Sequence, residues 1–220
     1  MTGEGVRRLT GAAGMVSVGV MLLGWLLVPG NPPGPAATAE LVVRWTLEDR
    51  RTLLVGTVLV AGGAALSVVF FAGVRALCAR AEGAPGILAT VGWGAMLVSI
   101  AISLVGVGLA QAQAFLVLDG DPGTVEAFHD ARLLLVDLAG LPAAIGFLAF
   151  GAAMVRTGFP AGWLGWAAGV AAAAETAGVI ALSRDGFFSP SGGAPRLAAA
   201  GFVVWVAAVS VVLLAPRRPA

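Results

Sequence analysis

Two acids interrupt stretches that are otherwise apolar: Asp137 within Leu133-Leu134-Leu135-Val136-Asp137-Leu138, and Glu175 within Ala171-Ala172-Ala173-Ala174-Glu175-Thr176-Ala177. A carboxyl in hydrocarbon must be neutral, paired or beside water, so each is a candidate for moving a proton or for holding the polar end of a ligand. Gln111, Gln113, His129, Asp130 and Arg132 recur at nearby chain positions and complete a candidate polar pocket. Helical spacing sets His129, Arg132 and Val136 on one face and Asp130, Leu133, Leu134 and Asp137 on its neighbour, an arrangement that lets His129 or Asp130 relay a proton toward Asp137. The competing reading is structural. An acid can be carried in its neutral form, can hydrogen-bond to Ser67, Ser99, Ser103 or a glutamine on another helix, or can pair with Arg132, while an interfacial histidine is often merely solvated.

The elements that must position these groups follow from composition. The chain has 220 residues, 59% of them hydrophobic and 11% charged, with a mean hydropathy of +0.95. Soluble domains are about half apolar, and they do not offer several separate apolar runs of roughly 20 residues, each long enough to cross about 30 Å of hydrocarbon. In lipid every backbone donor and acceptor needs an internal partner, which leaves helices or closed barrels, and continuous apolar runs exclude the alternation of a barrel. The expected fold class is all-α: a polytopic membrane helical bundle of about six transmembrane helices in a single transmembrane domain, residues 1–220.

Spans are expected at about 9–28, 53–77, 86–109, 133–155, 163–182 and 197–214. The first ends at Pro29-Gly30-Asn31-Pro32-Pro33-Gly34-Pro35, which cannot continue a helix. A secretory signal is the rival reading for that segment, with Arg7 and Arg8 as its basic flank and Ala37-Thr38-Ala39 as a small-residue cleavage site, but its apolar run exceeds a signal core. Residues 37–51 read as a short interfacial helix, because Glu40, Arg44 and Glu48 recur every four residues while Leu41, Val42, Trp45 and Leu47 supply apolar surface.

All 13 basic residues are arginine, against 12 acids, a net charge of +1 that gives no argument for nucleic acid. Arg7 and Arg8 abut the first span, and with Arg75, Arg80, Arg156, Arg217 and Arg218 they define the expected cytoplasmic side, where both termini then lie. On that arrangement Asp137 and Glu175 fall in the outer half, roughly 7 and 10 Å below the outer ends of their helices, and face one outward-opening vestibule. The loop Arg184-Asp185-Gly186-Phe187-Phe188-Ser189-Pro190 through Pro195 either caps that vestibule or is an ordinary connector. Trp25, Trp93, Trp163, Trp166 and Trp205 read as lipid-belt residues near span ends. Gly106 with Ala110, and Gly140 with Ala144, give small faces for close helix packing.

No phosphate loop, zinc pair, nucleophile elbow or CxxC motif is present, and the lone Cys78 can form no internal disulfide. No cofactor or metal ligand set is expected, and no catalytic residue is assigned. The layout resembles a group of bacterial multispan membrane proteins designated domain of unknown function 4386, through Arg7-Arg8, Ala39-Glu40-Leu41 with Glu48-Asp49-Arg50, Arg75-Ala76-Leu77 with Arg80, and Phe188-Ser189-Pro190 with Gly192-Gly193. That resemblance implies a multispan protein of the bacterial cytoplasmic membrane and no activity. The expected function is a small binding or accessory protein, or a minor transporter, with an outward-facing polar pocket. Its expected partners are the lipid bilayer, a small hydrophobic or lipid-like ligand and another membrane protein. The alternative is an intramembrane enzyme acting on a lipid or isoprenoid, with Asp137 or Glu175 as general acid.

Overall fold

The computed structural model describes residues 3–28, 32–180 and 184–216. The expected stop at Pro29-Gly30-Asn31, the last residues of the fifth expected span and Arg217 and Arg218 lie outside the described residues. The fold is all-α. Helices α1 (Gly3–Leu27), α2 (Ala39–Glu48), α3 (Arg50–Glu82), α4 (Ile87–Leu116), α5 (Pro122–Leu138), α6 (Gly140–Thr157), α7 (Gly162–Val179) and α8 (Gly193–Leu214) follow one another in the described chain. Among the described residues, five segments are long and apolar enough to cross a membrane, α5 and α6 counting together as Pro122–Thr157, which makes this a multi-pass membrane protein. The 18-residue α7 is not among the five, yet it packs between α6 and α8 as a sixth member of the bundle.

Helix neighbours define a closed ring: α1 lies on α3, α3 on α4, α4 on α6, α6 on α7, α7 on α8, and α8 back on α1. Small residues set the closest seams. A Cβ on Gly24 would lie 2.7 Å from the carbonyl oxygen of Gly56, and one on Gly56 would lie 2.8 Å from that of Gly24, so neither position of the α1–α3 contact accepts a side chain. Ser17 strengthens the same seam by donating from Oγ to the Gly63 carbonyl at 2.8 Å.

One half of the ring is filled by rings of another kind. Phe70 and Phe71 of α3, Phe147 and Phe150 of α6 and Trp205 of α8 are all buried, with Trp205 centroids 5.1 Å from Phe147 and 6.4 Å from Phe71. The indole also donates from Nε1 to the Leu164 carbonyl on α7 at 3.0 Å. Trp205 is 2% exposed, which corrects its expected place in a lipid belt: the ring interior offers both aromatic partners and a carbonyl for the N–H. Trp163 and Trp166, at 57% and 73%, do sit on the outer surface. At this end of the bundle Arg7 is buried and donates from Nη2 to the carbonyls of Val212 and Ala215, closing the last turn of α8, so the start of α1 and the end of α8 share one end.

The opposite end carries extra structure. Asp121 accepts from the Thr124 N–H at 3.1 Å and Pro122 occupies the first turn, so α5 starts eleven residues before the expected span at 133. The break between α5 and α6 at Ala139 has a cause in sequence, because Pro142 has no N–H for the Leu138 carbonyl. Outside the ring, α5 lies on α4 and supports α2, and Val42, Val117 and Val125 form a second small apolar core there. Asp49 separates α2 from α3 by one residue, and Leu41 and Leu47 of α2 are exposed at 47% each.

Replacing Trp205 with Ala removes an indole from the centre of the ring and is expected to cost about 3–5 kcal/mol, whereas Trp166→Ala should change stability by no more than about 0.5 kcal/mol. Denaturant titration of both variants in micelles checks the contrast; equal effects would refute the aromatic filling.

Candidate functional site

Large side chains fill the Arg7 end of the ring and small ones line the other, leaving a cavity of about 300 Å³ there. Its volume is at the lower limit of ordinary small-molecule pockets. Met21 and Trp25 of α1, Ile100 of α4 and Phe202 of α8 supply apolar wall, and Phe202 also packs against the aromatic cluster that closes the far end.

Asp137 and Glu175 both line this cavity. They are 7% and 8% exposed, and among the described residues neither carboxyl has an ion-pair partner. Asp137 Oδ2 has no hydrogen-bond partner either. Asp137 comes from the last turn of α5, just before the Ala139 break, and Glu175 from the last turns of α7. Gly140, the first residue of α6, leaves room for Glu175 of α7: a Cβ there would lie 3.0 Å from the Glu175 carbonyl oxygen and 3.2 Å from its Oε2.

Arg132 is the third charged group on the cavity wall. It also reaches a separate polar hub built on His129, which is fully buried. His129 Nε2 lies 2.7 Å from the Pro33 carbonyl, which can only accept, so this nitrogen carries the proton. Nδ1 is then the acceptor, and it receives Gln113 Nε2 and Arg132 Nη2, each at 3.3 Å. Gln113 Nε2 also donates to Thr46 Oγ1 at 2.7 Å, and Thr46 Oγ1 donates to the Val42 carbonyl at 2.7 Å. Trp45 packs edge-on to the imidazole with centroids 5.8 Å apart, and the Arg132 guanidinium lies 5.7 Å over the Trp45 ring. One residue thus ties the segment after α1 and the helices α2, α4 and α5 together.

The seven residues expected in one pocket divide accordingly. Asp137, Glu175 and Arg132 line the cavity; His129 and Gln113 form the hub beside it; Asp130 is half-buried on α5, with Glu126 and Arg184 as the charges acting on it; Gln111 is half-buried on α4 and lines neither. The relay from His129 or Asp130 to Asp137 is not what these contacts form, since both imidazole nitrogens are occupied within the hub and neither residue lines the cavity. Thr46, Pro33 and Thr57 were not singled out from sequence. The signal for Thr46 is a hydroxyl four residues after Val42 on the apolar face of α2, while a carbonyl such as that of Pro33 leaves no trace in residue type. The loop at 184–192 packs toward the segment after α1, a Cβ on Gly34 falling 2.9 Å from Ser191 Oγ, and its Phe187 and Phe188 rings are exposed.

Among the described residues no group of three or more His, Cys, Asp or Glu side chains is gathered to hold a metal ion. Comparison with protein-family models, curated proteins and solved structures returned no match. What the fold and site define is a class: a multi-pass helical membrane protein with an acid-bearing cavity in one half of its ring.

His129→Phe keeps an aromatic ring but leaves the Pro33 carbonyl without its donor and takes the shared acceptor from Gln113 and Arg132, although Gln113 keeps Thr46, a loss of roughly 1–3 kcal/mol. Hydrogen exchange should accelerate across residues 33–48 and stay unchanged in α6, α7 and α8. Unaltered exchange in α2 would show that the hub does not hold it.

Proposed function

We propose that this protein is a small binding protein of a bacterial cytoplasmic membrane, working as an accessory subunit or minor transporter, which holds a small, mainly apolar ligand in the cavity beside Asp137 and Glu175. The observation that carries the reading is the convergence of two buried carboxyls without ion-pair partners on one mostly apolar cavity, closed at its far end by Trp205 and its phenylalanine neighbours. An apolar wall with a few convergent polar groups is the usual composition of a ligand site. The arginine distribution favours cytoplasmic termini and a cavity that opens outward. The resemblance to domain of unknown function 4386 adds the bacterial setting and no activity.

An intramembrane enzyme acting on a lipid or isoprenoid is the second reading, and the same carboxyls favour it as general acids in a site of low polarity. Glu175→Gln separates the two. An enzyme that uses this proton loses turnover while keeping its fold, whereas a binding site keeps most of its affinity for an uncharged ligand.

The cavity itself is tested by filling it. A saturating apolar probe such as toluene at about 100 times its dissociation constant should stabilise the wild-type chain in nanodiscs by about 2.7 kcal/mol, and the gain should vanish in Ala143→Leu, which places a larger side chain on the cavity wall. Equal stabilisation of both chains would place the probe in the bilayer and remove the binding reading.

A further inference from the structure

We infer that the cavity selects a ligand with a protonated amine at one end and an apolar body at the other. This rests on the proposed binding function and names its ligand class. The cavity wall carries hydrogen-bond acceptors that the chain itself leaves unused. Thr57 Oγ1 spends its hydrogen on the carbonyls of Leu53 and Leu54, at 2.8 and 3.0 Å, and Ser67 Oγ spends its own on the Ala64 carbonyl at 2.6 Å. Both hydroxyls therefore offer the cavity lone pairs only. Asp137 adds a buried oxygen, Oδ2, that nothing in the described chain reaches, and Glu175 adds a second carboxyl.

Donors are present as well. Ser99 and Ser103 have hydroxyls that can act either way, and Arg132 has one arm, Nη2, directed to His129 Nδ1 with its guanidinium over Trp45, while its buried Nε has no partner. In their ionised form, which a neighbouring cation favours, the two carboxyls exceed the one guanidinium on the wall and leave a place for one more positive charge. An ammonium group supplies that charge together with three donors, and charge-assisted hydrogen bonds are about twice as strong as neutral ones. Apolar surface from Met21, Ile100 and Phe202 receives the remainder of the molecule. An anionic ligand would find a single partner in Arg132 and two opposing charges.

The test uses three molecules of nearly equal shape: phenylpropylamine, phenylpropanol and phenylpropanoate. Binding to the full chain in nanodiscs is measured by competition, with empty nanodiscs subtracted. The amine should bind roughly tenfold or more tighter than the alcohol, the value of one charge-assisted contact, and that preference should fall to near unity in the Asp137→Asn, Glu175→Gln double variant. Equal affinity for all three in the wild-type chain overturns the amine inference while leaving a binding cavity in place. Tighter binding of the carboxylate overturns it in favour of Arg132 as the anchor. Failure of all three to bind, with no response to cavity filling, overturns both this inference and the reading beneath it.

Discussion

A ring of six helices encloses more volume than small side chains can fill, and in this protein the distribution of large residues decides which part of the ring is solid. Trp205, Phe70, Phe71, Phe147 and Phe150 occupy the end where Arg7 caps α8. At the other end the wall carries Ala64, Ser67, Ser99, Gly106, Gly140 and Ala143, and space remains. In lipid there is no water to expel between helices, so packing contacts and satisfied polar groups must hold the bundle. The aromatic half fills its interior with side chains, whereas the half with the cavity is held by close backbone seams such as Gly24 on Gly56 and keeps space between them.

The polar groups of that half are sorted by what they have to do. His129 has both nitrogens engaged and joins four segments of the chain, so it holds α2 and the end of α4 in register with α5. Asp137 and Glu175 have no such duty and stand on the cavity wall. Arg132 belongs to both groups, with one nitrogen on the imidazole and its side chain on the cavity.

Much of the helical framework was legible in sequence, because hydropathy over roughly 20 residues reports directly on the lipid-crossing requirement. The two acids were legible for the same reason, since a carboxyl within an apolar run has few inexpensive places to be. Hydropathy failed where polarity and helicity part company. Residues 122–132 are polar enough to read as a loop, yet Asp121 caps them and Pro122 starts them as helix, a signature that was present in the chain. Trp205 was misplaced because indole suits both an interface and a buried carbonyl, and only the approach of α7 distinguishes them. The separation of His129 from the cavity depended on the Pro33 carbonyl, a backbone atom that any residue could have supplied.

The central claim is that Asp137 and Glu175 share one ligand-holding cavity within the helix ring. It is tested most directly by an experimental structure of the chain purified in lipid nanodiscs, read for density between these two side chains. The account predicts an open cavity beside both carboxyls with density for a non-protein molecule whose polar end points at them. Carboxyls sealed in separate helix contacts, with Phe202 and the α4 wall closed over the space, would contradict it and leave the two acids as structural groups.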